Sequence, residues 1–160
     1  MRTLLLGTLL FLLAGSSLLA QQPGASTEFQ QLEKQFEANR QPRKFVEPFL
    51  TFARSHADAP EAISALTWVL KYHQRGPEAD EALKLLADHH AGNDQLLPVF
   101  QRIGRNPSLV VGQLYRTVLK QNKDPHVLGN ACMRHTEYLL RQLDLKQEIE
   151  STPQNRERYE

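Results

Sequence analysis

Between Phe29 and Leu143 apolar residues recur every three or four positions, and prolines or small polar residues break the recurrence into short blocks. That period is helical, with one face of each block turned inward. Phe29, Leu32 and Phe36 mark a first helix with a single stripe, which Ser26 or Thr27 can cap. After Gln41-Pro42, the residues Phe45, Val46, Phe49, Leu50, Phe52 and Ala53 form a broad apolar face. Pro48 lies inside that face and predicts a kink or a later helix start, because it removes a backbone donor. Asp58 or Ala59, ahead of Pro60, opens a third helix with apolar residues almost all round: Ile63, Leu66, Val69 and Leu70 on one face, Trp68 and Tyr72 on its flank. Gly76-Pro77 opens a fourth, with Ala79, Ala82, Leu83 and Leu86 inside and His89-His90 at its end. Asn93-Asp94 then caps a short segment carrying Leu97, Phe100 and Ile103.

The stretch from Pro107 to Leu143 reads as one complete helical hairpin. Asn106-Pro107 starts its first helix, lined by Leu109, Val110 or Val111, Leu114, Tyr115 and Val118; Asp124-Pro125 starts its second, lined by Leu128, Ala131, Cys132, Tyr138 and Leu139. Gly112 and Gly129 allow the two helices to approach closely.

These elements predict an all-α chain, an irregular stack of six to seven antiparallel helices. Helix starts at Pro60, Pro77, Pro107 and Pro125 form two pairs offset by about 47 residues, a helical-repeat spacing. No alternating run of β-branched residues marks a strand.

The N-terminus breaks this pattern. Arg2, the apolar run Leu4 to Leu13, and small residues through Ala20 have the form of a secretory signal peptide, with an apolar core too short to span a membrane comfortably. The expected organisation is therefore a signal peptide at 1–20, a flexible leader at 21–26, a helical domain at 27–145 and a polar tail at 146–160 in which Pro153 bars a continuous helix. The expected location is secreted or periplasmic, in the cell envelope, with no stable membrane anchor after cleavage. Hydrophobic residues at 41% suffice for one core. Nineteen Lys and Arg against eighteen Asp and Glu give +1, and loss of Arg2 with the leader leaves eighteen of each. A balanced surface of this kind argues against a nucleic-acid partner.

Candidate chemistry is sparse. Cys132 is the only cysteine and has no intrachain partner; its place between Leu128 and Leu139 predicts a buried, unreactive thiol, and the functional alternative is a mixed disulfide with another protein. His135 falls on the same inner side and is expected at the core edge, hydrogen-bonded to a backbone carbonyl. Cys132 and His135 could share a metal only with two further ligands from other helices. His56, His73 and His89-His90 all stand at predicted helix C-termini, where an imidazolium meets the negative end of the dipole. Glu78, Asp80 and Glu81 stand in a predicted first helical turn, where the dipole favours negative charge, and no carboxylate spacing supports paired acid/base catalysis; with no nucleophile elbow and no phosphate-cradling glycine loop in the sequence, no enzyme activity and no cofactor are expected. Trp68 and Tyr72, one turn apart, are either core or a docking patch for a partner.

The phrases FVEPFLTFARSHADAPEAISALTWVLKY, GPEADEALKLLADHH, VFQRIGRNPS and LYRTVLKQNKDPHVLGNACMRHTEYL, covering roughly Phe45 to Leu140, resemble the N-terminal helical region of secreted bacterial thioredoxin-like proteins of the TlpA type. In that family such a module precedes a thioredoxin fold with a CxxC dithiol. This chain has no CxxC, so the resemblance implies an accessory module without disulfide-reductase activity. The expected function is a non-enzymatic envelope module that binds a protein or peptide, the partner being another envelope protein such as a thioredoxin-like one. The alternative is a redox-linked helper of a separate thioredoxin-like protein, acting through Cys132.

Overall fold

The computed structural model describes residues 24–151. The expected signal peptide and the last part of the tail lie outside them. The described residues form seven α-helices and no strand, an all-α fold: α1 (Ala25–Asn39), α2 (Pro42–Ser55), α3 (Pro60–Tyr72), α4 (Pro77–His89), α5 (Leu97–Ile103), α6 (Leu109–Gln121) and α7 (Pro125–Ser151), with a 3-10 turn at Asp94–Leu96 before α5. Proline at the first or second position opens α2, α3, α4 and α5, where a missing N–H costs nothing and a fixed φ suits the helix. Helix α2 runs through Pro48 without a break. Pro48 is exposed, so the carbonyl it leaves unpaired, that of Lys44, is on the solvent side.

One core runs through α2 to α7. All six expected α2 residues are buried, and Phe49, Leu50, Leu66, Val69, Leu83, Leu86, Phe100 and Leu114 are sealed from solvent. Helix α3 is central, packing on α2, α4 and α5, as its all-round apolar surface predicts. Helix α1 is different: none of its residues is buried, and it rests on the stack through Ala25, Phe29, Leu32 and Phe36.

Two asparagines tie the turns at the helix ends. Asn106 Nδ2 donates to the Gln74 carbonyl at 2.7 Å, and Asn122 Nδ2 donates to the carbonyls of Ala91 and Asn93 at 2.9 and 2.8 Å. Each Oδ1 accepts the N–H of the residue two ahead, Ser108 or Asp124, and that residue's side chain caps the following helix. Because Ser108 is the cap, α6 starts at Leu109 rather than at Pro107, and Leu109 is left 74% exposed instead of lining the core.

The α6–α7 contact departs further from the sequence expectation. Gly112 does allow close approach, since a Cβ there would stand 2.8 Å from Tyr138 Cε1, whereas Gly129 is exposed with nothing near it. The buried residues of α7 are Val127, Ala131 and Tyr138. Ala131 and Tyr138 face inward as expected, whereas Leu139 and Cys132 point outward. Within the described residues α7 continues past Leu145 to Ser151.

Candidate binding surfaces

With Val127, Ala131 and Tyr138 turned inward, the opposite side of α7 carries Gly129, Cys132, Met133, Thr136, Leu139, Leu140 and Leu143, all exposed. At 3.6 residues per turn these seven positions share one arc of about 120° and extend for about 21 Å along the axis. No charged residue interrupts that arc. Four of the exposed large hydrophobic residues of the described chain, Met133, Leu139, Leu140 and Leu143, are on it. Contiguous apolar surface of this kind on a water-facing helix is the usual mark of an interaction face. Acidic residues Glu137, Asp144 and Glu148 flank one border.

Cys132 belongs to this stripe. The expected buried thiol is therefore overturned: the side chain is exposed, because the helix is seated by its neighbours one position earlier. His135, on the α6 side of the stripe, is part-buried against the rings of Tyr115 and Tyr138. Its Nε2 has no hydrogen-bond partner, contrary to the carbonyl bond expected for it. Burial, followed by the nearby Arg116 charge, lowers its pKa.

Trp68 and Tyr72 sit together but under α1. The Trp68 indole stacks on Phe49 with centroids 4.1 Å apart, meets Phe36 edge-on at 4.8 Å, and touches Tyr72 at 4.7 Å. Lys71 Nζ lies 4.9 Å from the centre of the Tyr72 ring. Most of this pair's surface is spent holding α1 to α2 and α3. One edge of Trp68 remains in a groove of about 500 Å³ between α1, α3 and α5, with Phe29, Pro98 and Arg102 on its walls.

The helix-end histidines fall where the sequence places them, and three of the four meet a carboxylate. His56 contacts Glu28 at 2.9 Å, His73 contacts Glu78 at 3.2 Å and His89 contacts Asp58 at 3.1 Å. His90 is buried, and desolvation is the main cause of its lowered pKa, with the adjacent His89 second. Among the described residues no three His, Cys, Asp or Glu side chains gather as a metal site, and no helix is long and apolar enough to cross a membrane.

Sequence reasoning missed a cleft of about 480 Å³ where α5 meets α7, lined by Arg102, Arg105, Arg134 and Arg141 with Glu137, Gln74 and Gln101. Glu137 Oε2 holds Arg134 at 3.0 Å and Arg141 at 3.5 Å, and Arg141 also donates to the Gly104 carbonyl. A balanced total charge concealed this local excess. Inward of it, burial pushes the Tyr115 hydroxyl up to about 12 although Arg134 and Arg141 pull the other way.

No known protein family, curated protein or solved structure matches the chain. The surfaces themselves carry whatever is inferred about function.

Proposed function

We propose that this chain is a non-enzymatic helical module of a secreted or cell-envelope protein, and that it binds another protein through the outer face of α7. The observation that supports this is the charge-free stripe from Gly129 to Leu143. Met133, Leu139, Leu140 and Leu143 are about half exposed, so a partner that covered them would gain about 1 kcal/mol for each. The length of the stripe suits an amphipathic helix laid alongside it. The partner is accordingly a protein presenting such a helix, and a thioredoxin-like envelope protein is the first to test.

Photo-cross-linking in cells, from a probe at position 140 and from a control probe at the exposed Gln30 of α1, tests this reading. A discrete adduct is expected from position 140 alone, and Leu139→Glu with Leu143→Glu abolishes it. Equal adducts from both positions, or a reporter fused after Ala20 that stays in the cytosol, would refute it.

One observation favours a second, redox-linked role: Cys132 lies exposed within the same stripe. A Cys132 thiolate seated against a partner disulfide attacks one sulfur, forms a mixed disulfide and releases the other sulfur as a thiolate. Trapping with Cys132→Ser as control distinguishes this from docking alone, which the substitution leaves intact.

A further inference from the structure

The geometry points to an anion-binding site in the α5–α7 cleft, one that takes a small ligand with at least two oxyanion groups, phosphoryl or carboxylate. Four guanidinium groups and one carboxylate line it, an excess of three positive charges in a chain whose total is +1. Arginine stays protonated at any physiological pH, so this excess cannot be relieved by titration. Two of the four are held in place: Glu137 fixes Arg134 and Arg141, and the Gly104 carbonyl fixes Arg141 again. The other two, Arg102 and Arg105, have no acidic partner among the described residues, and both are exposed at the end of α5. The donor forks that remain match oxyanions in pairs, which is the geometry guanidinium recognises best. Gln74 and Gln101 add neutral donors at the rim.

Size narrows the ligand. A cleft of about 480 Å³ lies within the range of roughly 300–1,000 Å³ for small-molecule sites. Arg102 and Arg105 are the free pair, and the net excess of three positive charges around them is balanced better by two or more anionic groups than by one. A nucleic-acid strand would need a basic surface beyond the cleft, and the balanced chain does not supply one.

Calorimetric titration of the purified chain with pyrophosphate and, separately, citrate at fixed ionic strength tests the site. Saturable one-to-one binding is expected, weakening as salt rises. The double variant Arg102→Gln/Arg105→Gln should bind at least about tenfold more weakly, a loss of about 1.4 kcal/mol. Neither side chain is ion-paired among the described residues, so the variant keeps wild-type helicity, which circular dichroism verifies. Lys120→Gln/Lys123→Gln, whose positions do not line the cleft, serves as the charge control and should bind as wild type. Tighter pyrophosphate binding assigns a phosphoryl ligand and tighter citrate binding a polycarboxylate. Absence of saturable binding by both anions, or equal affinity in the arginine variant and the lysine control, overturns the proposal. Because the four cleft arginines lie outside the α7 stripe, loss of partner docking leaves this outcome unaffected.

Discussion

The Tyr138 ring fills the notch that Gly112 leaves on α6, so closely that a Cβ at position 112 would stand 2.8 Å from its Cε1 atom. This contact sets the rotation of α7 about its own axis. With Tyr138 in the notch, Val127 and Ala131 turn inward and Cys132, Leu139 and Leu143 turn out.

Gly112→Ala therefore overpacks the α6–α7 seam, and a cost of about 1–3 kcal/mol is expected in urea denaturation. Gly129→Ala, on the exposed side of α7 with open space around it, should stabilise by about 0.5–1 kcal/mol as alanine replaces glycine in a helix. Midpoints that shift together, in either direction, would contradict the seating of Tyr138.

Cys132 is exposed, so a thiol reagent should label it to completion in the native protein, at a rate close to that in urea. Labelling that requires unfolding would return Cys132 to the core and remove the stripe along with it.

Asn122→Ala removes the donor that serves two carbonyls beneath the α6–α7 turn. A loss of about 1–3 kcal/mol is expected from the buried carbonyl left unpaired. Asn39→Ala breaks a comparable bond to the Gln35 carbonyl, but in solvent, and should cost far less by the same denaturation measurement.

His90 links stability to pH. Its folded pKa lies below the ordinary value of 6.5, chiefly through desolvation and then through His89, with Asp58 opposing. The unfolded chain thus binds the proton more readily, so the His90 contribution is fully present above about pH 6.5 and is lost as pH falls through the folded value. Stability of wild type minus that of His90→Gln, measured by urea titration from pH 8 to pH 4.5, should decline across that window. A difference that stays flat or grows toward acid would reverse the assignment. His135, lowered by burial and by Arg116, is expected to behave in the same direction.

Much of the architecture was legible in the sequence because local chemistry decided it. Proline and its preceding residue placed the starts of α2, α3 and α4, and the apolar face of α2 was buried residue for residue. His56, His73 and His90 stand at the helix ends their positions implied. Helix α7 resisted reading for a definite reason. Val127, Ala131 and Tyr138 follow the same spacing as Leu128, Cys132 and Leu139, displaced by one residue, so periodicity admitted residues of both faces, Ala131 and Tyr138 rightly and Cys132 and Leu139 not. The choice came from the Gly112 notch, a long-range contact. The arginine cleft was hidden similarly, since Arg102 and Arg105 are distant in the chain from Arg134 and Arg141. Asn106 and Asn122 could have been noticed: each stands two residues before a helix cap, in Asn-Pro-Ser and Asn-Lys-Asp.

Helix α1 rests on the stack by four partly covered side chains and the Glu28–His56 pair, while the helices beneath it share one sealed core. Its free energy of opening is consequently a fraction of the global value, and it forms its own foldon. Amide protons of α1 should accordingly exchange faster than those of α3, through openings that bare the indole of Trp68 while α2 to α7 stay packed.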